Sequence, residues 1–291
     1  MWNKTRSWQR FYRNRLAVLG GIVLGAIALL VFGLPLIYQT PIDGIDFARS
    51  ALAPSWEHPF GTDDLGQDQL ARVLFGGKVS LTVGLAAMAV AISLGTVIGA
   101  IAGFYGGWLD QLLMRLTDLF LSLPQLPVLL LVVYLFRESL RAIAGAEWGT
   151  FLLVVLVSGS LNWMAIARLV RAQCLTLKNR EFVTAAQAMG ANPLRTLRTH
   201  LLPNLVSLIA VAATLSVSNA IITESTLSFL GLGFPPDIPT WGRMLYDAQN
   251  FVTTAPHMAL FPGLAIFLTV LSLNYLGDGL RDAFDPKSAS H

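Results

Sequence analysis

The chain has 291 residues, of which 54% are hydrophobic and only 13% charged, and its mean hydropathy is +0.61. A soluble domain carries about 25% charged residues, so the solvent for much of this chain is lipid. The net charge is only +3 and the basic residues gather at helix ends, which argues against nucleic-acid binding and makes the basic character a matter of membrane topology.

A hydrocarbon core about 30 Å thick needs about 20 apolar residues as helix. The first such run is 16–38, preceded by Lys4, Arg6, Arg10, Arg13 and Arg15 with no acidic residue. It is too long for the apolar part of a signal peptide, and the nearest Ala-x-Ala pattern, Ala51-Leu52-Ala53, lies too far downstream. It reads as a retained helix. Trp2, Trp8, Phe11 and Tyr12 among those cations suit a short segment in the inner headgroup layer. Further spans are expected at 79–104, 116–136, 149–169, 205–227 and 258–276. Pro124 and Pro127 interrupt the third, a situation tolerated where neighbouring helices re-satisfy the freed carbonyls; packing rather than a mechanical kink is the expected reason for them.

Charge fixes the orientation. Residues 39–78 hold Asp43, Asp46, Glu57, Asp63, Asp64 and Asp68 against Arg49, Arg72 and Lys78, which suits the outside. Residues 168–204 hold Arg168, Arg171, Lys178, Arg180, Arg195 and Arg198 against Glu181 alone, which suits the cytoplasm. The expectation is an all-α integral membrane protein with six spans and both termini cytoplasmic. A first segment, 1–78, comprises the N-terminal residues, the first helix and its outer loop. It precedes a five-helix core, 79–287, whose cytoplasmic loop runs from about 171 to 204. No internal repeat or low-complexity tract is visible.

Catalytic chemistry finds little support. Gly77-Lys78 lacks the P-loop context, since Arg72 stands where a glycine and Val79 where a Ser/Thr would be required. Any ATP must therefore be hydrolysed by another chain. His58, His200, His257 and His291 have no metal-ligand spacing. The single Cys174 rules out an intrachain disulfide and reads as a small apolar residue near a helix end. No nucleophile elbow or zinc-protease helix motif occurs, so a proteolytic role is disfavoured.

Three other features stand out. Gly95, Gly99 and Gly103 recur every four residues on the second span, the small-xxx-small spacing that lets another helix backbone approach closely. Glu224 is the one carboxylate deep in an apolar helix, with Asn219 and Thr223 nearby. It marks either a cavity or pathway or a polar contact between helices, and both readings stand. In the cytoplasmic loop, 181–190 reads as helix, broken at 190–193. A second short helix, 193–202, is expected to start on Pro193 and stop before Pro203. Ala185, Ala186 and Gly190 give that pair a shallow surface that another protein can approach.

The loop resembles the EAA loop of ABC-importer permeases, whose pattern is Glu-Ala-Ala, three residues, Gly, nine residues, Ile, one residue, Leu-Pro. Ala185-Ala186, Gly190 and Leu202-Pro203 fall in register, while Thr184 replaces the glutamate and His200 the isoleucine. Other stretches are similar to the C-type subunit of the dipeptide/oligopeptide/nickel permease family. They are the run from His58 through Asp63, Asp64 and Gly66 to Asp68, the run from Leu227 to Gly233, Pro239-Thr-Trp241-Gly242, and the run from Gly277 to Pro286. Gln67 stands where the family would have arginine. The similarity runs from about Phe11 to Lys287.

The resemblance implies a type I ABC importer permease fold in a bacterial inner membrane, surrounded by lipid, with no cofactor, no metal and no catalytic residue. It implies a second permease subunit, ATPase subunits that bind ATP, and an external solute-binding protein as partners. ATPase coupling would fall to Thr184, Ala185, Ala186, Gly190, Pro193, Arg195, His200, Leu202 and Pro203. Contact with the binding protein would fall to His58, Asp63, Asp64, Asp68 and Trp241. Peptide is the expected substrate, with nickel chelates or another small solute as the alternative. A rival of a different class is a self-sufficient secondary transporter using Glu224; such carriers usually show inverted repeats and several intramembrane ionisable groups.

Overall fold

The computed structural model describes residues 11–284 and is helical throughout its regular structure, apart from one isolated antiparallel bridge between Thr62 and Asp68. Lys4, Arg6, Arg10, Trp2 and Trp8, and the end of the C-terminal motif at Asp285-Pro286, lie outside the described residues. Helix α1 (Arg15–Gly33) starts where the Asn14 side chain accepts the Ala17 N–H at 3.2 Å. An irregular outer loop follows. Helix α2 (Gln69–Tyr105) is 37 residues long and is capped by Asp68, which accepts the Ala71 N–H at 2.8 Å.

The cap moves the start of α2 well before the hydropathy boundary at residue 79. Gln69, Arg72 and Lys78 lower the local hydropathy but do not interrupt the helix, so the division of the chain at residue 78 falls within α2. At about 1.5 Å per residue the helix is about 55 Å long, enough to cross the bilayer and stand above it.

Helices α3 (Gly107–Ser122) and α4 (Gln125–Ala144) replace the single span expected at 116–136, and they meet at 90°. The cause is local. Pro124 has no N–H and drives Leu123 into extended backbone (φ −77°, ψ 138°), while Pro127 sits in the first turn of α4, where proline costs nothing. Helix α5 (Ala146–Lys178) leads to the short α6 (Glu181–Ala188) and α7 (Pro193–Thr196). A π-type turn, Leu197–Leu201, joins α7 to α8 (Leu202–Phe229); α9 (Trp241–Ala248) and α10 (His257–Phe284) complete the chain. Among the described residues five helical stretches are long and apolar enough to cross a membrane, and the bent α3–α4 pair brings the number to six when it is counted as one broken span.

Helix α2 is the hub, and glycines decide how closely its neighbours come. A Cβ on Gly95 would lie 2.6 Å from the Ile166 Cβ, one on Gly99 2.9 Å from the Val170 Cβ, and one on Gly103 2.6 Å from the Cys174 Cβ. The spaced glycines are thus a seam along which α2 and α5 run backbone to backbone, with Gly159 answering from α5 at 2.6 Å from the Val90 Cβ. Cys174 is a buried member of that seam. On its other flank α2 meets α8, where Gly84 faces Ile221. Helix α10 carries α1 on one side through Gly20 and Gly279 and touches α8 through Gly277. Helix α1 is therefore built into the bundle.

The molecule has two functional ends. At one, the outer loop, α9 and the starts of α2 and α10 interlock. At the other, the last turn of α2 (Phe104) and the end of α5 (Cys174) share a buried apolar cluster with Val183, Leu201 and Leu205.

The seam makes a contrast that can be measured. Gly99→Val should lower the midpoint of thermal unfolding in mild detergent, by an overpacking cost of about 1–3 kcal/mol. Gly25→Val, where a Cβ meets nothing within 4 Å, should leave the midpoint almost unchanged.

Candidate functional site

The cytoplasmic end is built from the α6–α7 turn. Val183 of α6 joins the Phe104–Cys174 cluster and Ala186 is also buried, which fixes the opposite face outward. On that outer face Phe182, Ala185 and Met189 are exposed, Met189 by 83%, and Leu194 of α7 is exposed as well. Gly190 makes the turn possible: its φ is +86°, in the left-handed region, and no atom lies within 4 Å of where a side chain would begin. Asn192 then caps α7 by accepting the Arg195 N–H at 2.7 Å, and Pro193 occupies the first turn.

Sequence reasoning stopped the second short helix before Pro203; the structure does not. The backbone passes through the π turn Leu197–Leu201 and enters α8 with Pro203 in its first turn. A wider turn lets a helix pass a residue that cannot donate its own hydrogen bond. The consequence is mechanical, because α7 and α8 form one stretch, Pro193–Phe229.

The predicted coupling residues divide by position. Thr184, Ala185, Gly190, Pro193, Arg195 and Pro203 are exposed, Ala186 is buried, and His200 and Leu202 are half-buried. The Thr184 hydroxyl donates to the Glu181 carbonyl at 2.9 Å and is satisfied within α6. At the base of the loop the Lys178 ammonium donates to the Phe104 carbonyl, and Arg171 grips Asp110 of α3 with Nη2 to Oδ2 at 2.6 Å.

The outer end is a polar lattice. Asp63 Oδ1 accepts the N–H groups of Leu65 at 3.0 Å and Gln67 at 2.8 Å, closing a tight turn at Gly66. Its Oδ2 faces Arg72 Nε at 3.2 Å. Arg72 also donates to Gln67 and lies 3.9 Å from Asp247 of α9, which pairs with Arg243 at 2.9 Å. Asp68 receives His58 Nδ1 at 2.8 Å and the Tyr38 hydroxyl at 2.9 Å. Burial pushes the Asp63 carboxyl above the ordinary carboxylate range in spite of the Arg72 guanidinium. Burial does the same at Asp247 in spite of Arg243 and Arg72.

This lattice corrects the outer-loop expectation. Asp63, Asp68 and Trp241 are buried, and their side chains are taken up in holding the loop onto α2 and α9, so a docking protein cannot touch them directly. The Trp241 indole donates to the Val73 carbonyl at 2.9 Å, and His257 lies 3.0 Å from the Thr62 carbonyl. His58 and Asp64 remain half-buried, and it is Trp56 that stands fully in the open. Arg72 and Asp247 went unremarked as a pair in the sequence because nothing in it brings α2 and α9 together.

Glu224 has 0% exposure, which favours the interhelical reading of that residue. Its Oε2 accepts the Ser80 hydroxyl of α2 at 3.1 Å and its Oε1 the Ser228 hydroxyl at 2.7 Å. Ser80 in turn accepts the Trp241 N–H at 3.3 Å, so one carboxylate ties α8, α2 and α9. Asn219 is exposed on another face of α8 and does not join it.

With this geometry in view, comparison with known proteins is specific. The family described as binding-protein-dependent transport system inner membrane component matches residues 95–290. The N-terminal TM domain of oligopeptide transport permease C matches residues 3–54. The chain belongs to this permease family. It is 40% identical to the glutathione transport system permease protein of Pectobacterium atrosepticum, over 97% of this chain and 91% of that protein. It is 37% identical to the dipeptide transport system permease protein of Alkalihalophilus pseudofirmus (98% and 90% covered) and 37% identical to the oligopeptide transport system permease protein of Haemophilus influenzae (96% and 88%). In a solved inward-facing structure of the MetNI methionine ABC transporter, one chain superposes with a TM-score of 0.56 at 18% identity, covering 74% of this chain and 97% of that one, which establishes the shared fold.

The permease is thus a bacterial inner-membrane protein with an ABC importer fold. The longer family match spans the glycine seam from Gly95, the whole α6–α7 turn and Glu224, while the shorter one takes in α1 and the start of the outer loop.

The buried lattice has a testable pH signature. A carboxyl whose pKa in the fold lies above its unfolded value contributes stability that is present below the ordinary carboxylate range and is lost as pH rises through the raised value. Removing Arg72 takes away the cation that opposes this shift at both Asp63 and Asp247. Arg72→Gln should therefore cost about 3–5 kcal/mol near neutral pH. The deficit should shrink between neutral and mildly acidic pH as the two carboxyls protonate. Thermal unfolding of wild type and variant at the two pH values checks it.

Proposed function

We propose that this permease forms half of the translocation path of an ATP-driven peptide importer and takes its drive through the α6–α7 turn. The observation that carries the reading is the exposed apolar face of Phe182, Ala185 and Met189 on α6, joined by the Gly190 turn to Pro193–Phe229, the stretch that contains α8. Exposed apolar side chains in a row at an aqueous end suit a protein partner. An ATPase subunit seated there can move a membrane helix through that short turn.

Coupling of this kind needs differential affinity. ATPase binding shifts the permease only if the docked pair is more stable in one conformation than in the other. A stiff turn set by Gly190, Asn192 and Pro193 transmits such a bias, while the outer lattice offers Trp56 and its neighbours to a solute-binding protein. Peptide as cargo is supported by relatives named for dipeptide, oligopeptide and glutathione transport. A second permease subunit completes the path. The carrier alternative loses support because Glu224 is engaged by Ser80 and Ser228 in the protein interior.

Gly190→Val should leave the chain inserted and assembled in the membrane yet reduce ATP-driven uptake of a labelled dipeptide at least tenfold, since a β-branched residue resists φ +86°. Met189→Asp should weaken co-purification of the ATPase. Normal uptake and normal ATPase recovery in both variants would refute the coupling role.

A further inference from the structure

Lys78 is a cation that the outer lattice does not use. With Arg72 it is one of two charged residues in the whole of Gln69–Tyr105, and it lies about 15 Å along the axis from the Asp68 cap. Arg72 is absorbed by the outer lattice. Lys78 is not: its carbonyl accepts the Thr82 hydroxyl at 2.6 Å, but among the described residues its exposed ammonium makes no ion pair or hydrogen bond. A free ammonium at the wall of a largely apolar cavity is a candidate ligand group.

Its surroundings define what it can bind. Lys78 lines a cavity of about 320 Å³ whose other walls include Phe75, Trp148, Phe151, Phe234 and the carboxylate of Glu147. Glu147, in the first turn of α5, is likewise exposed and without an ion pair among the described residues. The site thus offers one free cation, one free anion and an aromatic floor. Its volume lies at the small end of the ~300–1,000 Å³ typical of ligand sites. It sits at the outer end of the bundle, since Phe234 and Ile238 belong to the segment leading into α9. A ligand that carried only one charge would leave the second group unanswered.

We propose that this cavity is an outer-mouth subsite for a small zwitterion with an apolar body, namely a short peptide with both termini free. The α-carboxylate is held by the Lys78 ammonium, the α-ammonium by Glu147, and the side chains lie against Phe75, Phe151 and Phe234. Charge-assisted hydrogen bonds at both ends reject solutes that lack either charge. Lys78 also borders a second cavity of about 410 Å³, formed with Asp43 and Tyr38. Its flexible stem can swing between the two, handing the carboxylate on. This inference rests on the peptide-importer reading and adds to it the residues that meet the cargo in this chain.

The test is direct binding of Leu-Leu to the assembled permease–ATPase complex in lipid nanodiscs, without the solute-binding protein, by calorimetry. Wild type should bind Leu-Leu about tenfold more tightly than its C-terminal amide or its N-acetyl form. Lys78→Met should lose the preference over the amide, Lys78→Arg should keep it, and Glu147→Gln should lose the preference over the N-acetyl form. Absence of binding to wild type, or variants that discriminate as wild type does, would overturn the proposal. So would a Lys78→Met effect that tracks the phosphatidylethanolamine content of the nanodisc, which would make the occupant a lipid headgroup. ATP-driven uptake measured separately in proteoliposomes with the solute-binding protein present separates the two readings: binding as predicted without any uptake counts against the importer reading and leaves the subsite standing.

Discussion

The architecture depends on the close approach of α2 and α5. In a membrane there is little hydrophobic drive to bring helices together, because lipid tails are as apolar as leucine; contact must come from packing area and polar links. The glycines at 95, 99 and 103 supply the area by removing every side chain from one edge of α2, so that Ile166, Val170 and Cys174 settle against bare backbone. Everything else is placed relative to that pair. Helix α8 leans on the other flank at Gly84, α10 leans on α8, and α1 leans on α10.

Polar links then fix the ends. Toward the outside Glu224 gathers Ser80, Ser228 and, through Ser80, the backbone of Trp241, so three separate elements share one carboxylate. Above it Arg72 and Asp63 hold the outer loop to the top of α2. In an apolar setting such groups have no competing water, and each missing partner would leave a costly orphan. The outer end is therefore a stiff cap. The cytoplasmic end is different in kind: its short helices are held by three inward residues, Val183, Ala186 and Thr196, and present most of their surface outward. A rigid cap at one end and a partner-facing turn joined to a spanning helix at the other are what a coupled transporter requires.

The same division explains what the sequence announces poorly. The loop run from His58 to Asp68 reads as a surface motif because it is rich in charge, yet two of its three acids, Asp63 and Asp68, are buried in ion pairs and turns. Charge in a short segment signals either a solvated face or a satisfied interior network, and composition does not distinguish them. In the cytoplasmic loop the turn at Gly190 and the helix start at Pro193 were legible, since glycine at a left-handed turn and proline at a helix start are local requirements that each residue meets alone.

By itself the sequence determined the membrane character, the approximate spans, the glycine edge of α2 and the α6–α7 break, because hydropathy, small-residue spacing and turn chemistry act within a few residues of one another. Tertiary structure alone decided that Glu224 answers Ser80 and that Asp63 and Asp68 are buried in the outer lattice. The physical reason is range. Ser80 and Glu224 are 144 residues apart, and Arg72 finds Asp247 only after α2 and α9 have been brought together by packing. Such pairings depend on where whole helices come to rest, which no local pattern of residues encodes.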